Sequence, residues 1–299
     1  LSQWQGRSLS MTNWATLIKS ITVSLLSHTF SVYSWPPMVL NQVCSWTRNF
    51  IWTGCANSCG FSIVAWKKCC VSLNEGGLGI RNFTALNKAF LLKKFWDILV
   101  TSSLASLFFQ GRFFNCLGQS CSTYKSSSIW PGLRPLFSDI FHGSKWVIGN
   151  GQNINFWHVR WLDFPIVDRL GIQPDLCKAF RAKVFDFIVD GCWIPPPTLH
   201  SWLVPIWDDI SSIRLPSKNG IDDKMVWLSA SNGDFSLSLA YDFKCNKQPV
   251  VQWDRWVWQS CFRPRNSVTL WKYLHGKMLT DDLLQQRGFC YNIYVLSLL

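Results

Sequence analysis

The sequence holds a single glutamate, Glu75; every other carboxylate is an aspartate. Charged residues make up 15%, against ~25% in an average soluble domain. Glutamate is the common choice on solvated helix faces, so few long charged helix faces are expected. Long apolar runs are also missing. No stretch reaches the ~18 apolar residues of a membrane span. The nearest, Ile21–Trp35, is broken by Ser24, Ser27, His28, Ser31 and Ser34. Leu1–Gly6 is polar and aromatic and does not begin a secretory signal. There is no Gly-x-Ser-x-Gly, no Cys-x2-Cys and no His-x3-His, and no Gly-Lys-Ser/Thr follows Gly76-Gly77-Leu78-Gly79. Serine-nucleophile hydrolysis and phosphate-loop nucleotide binding therefore lack their sequence basis.

What is present is aromatic and basic. The 299 residues include 19 Trp and 21 Phe, and 48% are hydrophobic, with a mean hydropathy of +0.09. A disordered chain is excluded, and the length suits about two domains of ~150 residues. Net charge is +12, which draws the chain toward polyanions such as nucleic acid or anionic lipid. The excess is uneven: residues 1–100 carry nine basic and two acidic side chains, 101–200 nine and six, and 201–299 eleven and nine. The twelve cysteines are irregularly spaced in a chain too long to need a disulfide framework, which favours a reducing compartment. The sequence opens on Leu1 rather than Met, and a fragment is expected.

Trp14, Leu17, Ile18, Ile21 and Leu25 recur at helical spacing, with Ser10, Thr12 or Asn13 as cap and Pro36-Pro37 as stop. Val39, Leu40, Val43, Trp46, Phe50 and Ile51 predict a second helix. Thr84 would cap a third, bearing Leu92, Phe95, Trp96 and Leu99. Gly76, Gly77 and Gly79 imply a tight turn or close backbone approach before it. Ser126–Ser128, Pro131 and Pro135 mark a loop, and Pro195–Pro197 a stiff break. Two hairpins are predicted. One joins Lys145–Ile148 to Asn153–Trp157 through Gly149-Asn150-Gly151; the other joins Met225–Leu228 to Phe235–Leu239 through Asn232-Gly233. Pro264 and Ser267 introduce a helix with Leu270, Trp271 and Leu274, and Thr280 would cap a last short one.

Asp208-Asp209, Asp222-Asp223 and Asp281-Asp282 are adjacent carboxylates, but none follows the Tyr-x of a polymerase metal-binding turn. The first two read as solvated turns and the third as a helix start. Cys55-x3-Cys59 with Cys69-Cys70 is the densest thiol cluster; without a second clean pair it reads as free thiols rather than zinc. No metal-binding residue is assigned. Lys67, Lys68, Arg81, Lys88, Lys93 and Lys94 lie among Trp66, Phe83, Phe90, Phe95 and Trp96. Basic side chains neutralise phosphates and aromatics can stack on bases; the alternative is an aromatic core under a solvated lysine face.

Several segments together resemble the C-terminal part of reverse transcriptases of plant LINE-type, non-long-terminal-repeat retrotransposons. They begin with Leu1-Ser-Gln-Trp-Gln-Gly-Arg-Ser-Leu-Ser10, Phe50-Ile-Trp-Thr-Gly54 and Glu75-Gly-Gly-Leu-Gly-Ile-Arg-Asn82. They continue through Trp146-Val-Ile-Gly-Asn-Gly151, Phe156-Trp157, Asn232-Gly-Asp-Phe-Ser-Leu237, Trp253 to Trp258 and Leu274 to Gly288. The resemblance implies a thumb-like region over 1–120, a connecting region over 121–248 and a truncated zinc-binding domain over 249–299. The palm with its magnesium-binding aspartates would lie upstream, and the family's Cys-x2-Cys, His and Cys after the Arg-Gly step have no counterpart here.

The expectation is an α+β chain: a helical N-terminal unit, a middle unit with two β-hairpins and helices, and a short helical C-terminal unit. It is expected to be non-catalytic and to hold the RNA or DNA backbone through Lys67, Lys68, Arg81, Lys88, Lys93 and Lys94. No cofactor is expected, zinc belonging to intact family members and magnesium to the palm. A scaffold packing on the palm, or an active RNA-directed DNA polymerase, are the alternatives. The sequence leaves localisation open, the resemblance being compatible with an intracellular setting that includes the nucleus; no membrane partner is expected.

Overall fold

A computed structural model describes residues 10–58, 60, 62–115, 118, 120–121, 127–173, 176, 179–195, 200–215, 221–259 and 261–278. The fold is α+β, with helices and two small two-stranded sheets. Helix α1 (Met11–Leu17) is capped by Ser10 and continues through a π-helical turn into α2 (Val23–Phe30). Helix α3 (Pro37–Thr53) starts on a proline, tolerated where the N–H has no helical partner, and ends on Gly54 at φ +73°. Then come α4 (Trp66–Cys69), α5 (Phe83–Val100) and α6 (Leu104–Phe113). Asn82, not Thr84, caps α5: its side-chain oxygen accepts from the N–H groups of Thr84 (2.9 Å) and Ala85 (3.2 Å).

Short helix α7 (Trp130–Leu133) and a 3-10 turn (Arg134–Leu136) stand where the prolines predict a loop, and α8 (Phe137–Gly143) follows. Pro131 occupies the first turn of α7, where proline costs no hydrogen bond. Strand β1 (Ser144–Val147), α9 (Ile166–Arg169), β2 (Ile188–Val189), β3 (Cys192–Trp193) and α10 (His200–Ser211) follow. Strand β4 (Lys224–Trp227), α11 (Leu237–Lys244), α12 (Asp254–Val257) and α13 (Pro264–Leu274) complete the described elements.

Neither predicted hairpin forms. Strand β1 pairs antiparallel with β4, Ser144 opposite Trp227 and Val147 opposite Lys224, so one strand of each expected hairpin joins the other. Phe235–Leu239 runs into α11 instead of forming a return strand. The true hairpin is β2–β3, turning on Asp190 (φ +51°) and Gly191 (φ +77°). Asp-Gly between apolar residues is the strongest short hairpin signal, and here it outweighs the longer Gly-Asn-Gly run, which wraps a carboxylate instead. Part of Pro195–Pro197, Thr280, Asp281-Asp282 and Tyr291–Leu299 lie outside the described residues.

The chain forms two compact units. The first comprises Leu1–His28, Trp35–Leu86 and Cys245–Leu299; the second comprises Thr29–Ser34 and Asn87–Lys244. These limits differ from the expected segments at 120 and 248, because the two ends of the sequence share one unit.

In the first unit, Ile18, Phe50, Ile51, Leu78, Val257 and Trp271 are buried together. The glycine run makes that union. Gly76 takes φ +82°, and a Cβ on Gly77 would lie 2.2 Å from the Val71 carbonyl oxygen. The Gly76 carbonyl accepts from Trp271 Nε1 at 2.8 Å and lies 2.8 Å from His275 Nε2. A carbonyl only accepts, so His275 carries its proton on Nε2.

The second unit has two aromatic cores. One gathers Leu92, Phe95, Trp96, Trp130, Trp227 and Phe235; the other gathers Phe156, Trp157, Trp161, Phe187, Leu203 and Ile206. Trp227 meets Trp96 edge-on at 5.9 Å and Phe235 at 4.2 Å. Helix α5 is buried on most sides, and buried Asn87 donates to the carbonyls of Phe30 (3.1 Å) and Tyr33 (2.8 Å).

Candidate nucleic-acid interface

The fold sorts charge between the units more sharply than the sequence does. The first unit holds thirteen Lys and Arg against four Asp and Glu, net +9; the second holds sixteen against thirteen, net +3. The ion pairs found among the described residues lie in the second unit: Lys93–Asp97, Lys145–Asp163, Arg169–Asp209, Lys224–Asp234 and Lys244–Asp139. The first unit's cations are therefore the electrostatic feature a polyanion would meet.

The six predicted residues divide between the units. Lys67 and Lys68 are exposed on α4, and Arg81 is exposed just before the Asn82 cap, all in the first unit. Lys88, Lys93 and Lys94 are on the part of α5 in the second unit. Lys88 and Lys94 are exposed; Lys93 is half-buried and held by Asp97 at 2.5 Å. Around α5 these three point ~100–140° apart, so they do not form one phosphate-facing stripe. Phe83, Phe95 and Trp96 are buried and serve as core, with no face left for a base. The sequence missed Lys19 and Lys272. Both are half-buried, and desolvation pushes their pKa below the usual lysine range.

Two of the three carboxylate pairs fall within the described residues, and each has a member tied into local structure. Asp209 is 2.5 Å from Arg169. Asp223 Oδ1 accepts from the N–H groups of Gly149 and Gly151, both at 2.8 Å, and its Oδ2 from that of Asn153 at 2.9 Å. The Gly149-Asn150-Gly151 loop thus wraps a carboxylate instead of turning a hairpin. A Cβ on Gly149 would fall 2.1 Å from the Ile221 carbonyl oxygen.

Among the described residues no three Cys, His, Asp or Glu side chains converge on a point that could hold a metal ion. Cys261 is exposed and donates to Gln259, and His275 Nε2 is committed to Gly76. Cys59 and Cys290 lie outside the described residues. Burial pushes the Cys69 thiol up to about 12, and burial next to Cys69 and Cys44 pushes Cys70 up as well. Such thiols carry little thiolate at neutral pH.

Residues 235–293 match the family described as zinc-binding in reverse transcriptase. The match starts earlier than the expected 249 and crosses from the second unit into the first at Lys244–Cys245. The chain is 27% identical over 309 aligned positions to a putative ribonuclease H protein of Arabidopsis thaliana, covering 96% of this chain and 48% of that protein. It is 28% identical over 164 positions to an uncharacterized mitochondrial protein of Arabidopsis thaliana, covering 51% of this chain and 99% of that one. The chain spans about half the length of the first of these relatives. No solved structure matches it. The chain is thus similar to the zinc-binding part of reverse transcriptases over residues 235–293, and to plant proteins over most of its length.

Proposed function

We propose that the chain is a non-catalytic part of a retrotransposon reverse transcriptase that holds RNA or DNA by its sugar–phosphate backbone. The single observation that carries this is the net charge of +9 on the first unit, in a chain whose similarity is to reverse-transcriptase sequence. Exposed Lys67, Lys68, Arg81, Lys88 and Lys94 would neutralise phosphates without reading bases. Lys93 would contribute only by leaving Asp97. Polymerisation would belong to a palm domain, since the aspartate pairs seen here are tied into loop and ion-pair structure. The test is a salt titration of the full chain against RNA and duplex DNA, with magnesium-dependent primer extension alongside. Affinity falling steeply with salt, and no extension, is the expected result; extension by the purified chain would overturn the non-catalytic reading.

One observation favours a second reading, a protein-packing module. Leu104, Leu107 and Phe108 are 89%, 51% and 61% exposed and share one face of α6. A face of that kind suits a neighbouring protein surface. Co-elution with an added reverse-transcriptase palm domain, lost in Leu104→Gln/Phe108→Gln, would support it.

A further inference from the structure

Within the first unit, α1 and α13 flank a groove of about 500 Å³ lined by Ser10, Thr12, Arg265, Thr269 and Lys272, with Met11 and Val268. Arg265, Thr269 and Lys272 stand at i, i+4 and i+7 on α13 and so form one stripe, the cations ~10 Å apart along the helix. Among the described residues no carboxylate lines the groove and neither cation has an ion-pair partner. The walls are fixed. Thr12 Oγ1 donates to the Pro264 carbonyl at 3.0 Å, tying the two helix starts together, and Thr269 Oγ1 donates to the Arg265 carbonyl at 3.0 Å. Lys272 Nζ sits 5.7 Å from the Trp52 ring centroid, so its ammonium is held by the ring while half-removed from water. The Ser10 hydroxyl accepts from the Asn13 N–H at 3.5 Å and has no acceptor for its own proton among the described residues.

Two like charges on one stripe, with a hydroxyl proton beside them and no described acid among the lining residues, suit a polyanion. A guanidinium fork grips phosphate oxygens in pairs, and an ammonium adds a point charge. We propose that this groove seats a single nucleic-acid strand by its sugar–phosphate backbone, Arg265 and Lys272 each neutralising a phosphate and Ser10 Oγ donating to a phosphate oxygen. This rests on the backbone-binding reading above and gives it residues which that reading does not include. An anion also favours the charged form of Lys272 that burial disfavours.

The test uses the full chain, fluorescently labelled single-stranded RNA and anisotropy from about 50 to about 200 mM salt. Arg265→Gln/Lys272→Met removes both charges and keeps the side-chain stems; Arg265→Gln alone changes an exposed side chain and covers the case in which the double variant misfolds. The expected result is affinity at least ~10-fold weaker in the double variant, with the slope of log K against log salt reduced by about 1.4, since each single-strand phosphate contact contributes ~0.7. If the wild-type chain binds and both variants match it within about twofold and in slope, the groove assignment is overturned while backbone binding stands. If the wild-type chain fails to bind at about 50 mM salt, both fall. If neutralising Lys67, Lys68, Arg81, Lys88, Lys93 and Lys94 leaves affinity intact while the groove variants lose it, the groove stands and those six are dismissed.

Discussion

The two units solve the problem of charge differently. In the second, an almost continuous stretch of sequence folds on two aromatic cores and pairs acids with bases at its surface. The first is stitched from both ends of the chain around the Gly76 turn and carries thirteen Lys and Arg against four Asp and Glu. The near-neutral unit balances its surface charge internally, whereas the basic one keeps a net positive field of the kind that attracts polyanions.

The largest break in this comparison should come from the aromatic core. Trp227 is buried against Trp96, Phe235 and Phe243, and Trp227→Ala should cost about 3–5 kcal/mol. Urea unfolding followed by tryptophan fluorescence measures it; a loss under about 1 kcal/mol would show that this core collapses around the gap. Next comes the carboxylate wrapped by the glycine loop. Asp223→Asn keeps the shape but removes the charge from three N–H donors, and should cost about 1.5–3 kcal/mol in the same assay.

Much of the helical layout was legible. Ser10 as cap, Pro36-Pro37 as break, the glycine run as a close turn and Pro264 as a helix start are all local chemistry, written within a few residues. Strand pairing was not. Ser144–Val147 and Lys224–Trp227 are each bounded by good turn residues, and nothing local says that the two segments seek each other across the chain. Asp223 supplies part of the reason, since it holds the Gly149–Asn153 loop alongside β4's approach. Charge was half legible. The last 99 residues look almost neutral because the acids before Lys244 offset the bases after it, and only the fold separates them. Arg265 and Lys272 were invisible for that reason, although their spacing with Thr269 places them on one helix face.

The stitching of the first unit can be sharpened by Trp271→Phe. The ring volume largely remains but the bond to the Gly76 carbonyl is lost, and about 0.5–1.5 kcal/mol should go with it. The thiols of that unit give a second view. Cys69 and Cys70, raised by burial, should resist alkylation by iodoacetamide at pH 8, while exposed Cys55 and Cys261 react, as peptide mass spectrometry would show. The sign follows from the shift: a raised thiol pKa leaves less thiolate, the reactive form. Rapid labelling of Cys69 would mean that the chain ends do not close over it.

The smallest effect tests what the paired charges do. Lys224 and Asp234 are 2.9 Å apart with both side chains more than half exposed, so Lys224→Ala should change stability by less than about 1 kcal/mol. Salt should likewise leave urea unfolding nearly unchanged, since exposed pairs are already screened. RNA affinity should fall across the same salt range, because there each displaced counterion counts. A stability that tracked salt as steeply as affinity would mean that the excess charge of the first unit strains the fold itself. A stability indifferent to salt, beside an affinity that falls with it, would separate the excess charge of the first unit from the forces that hold the fold together.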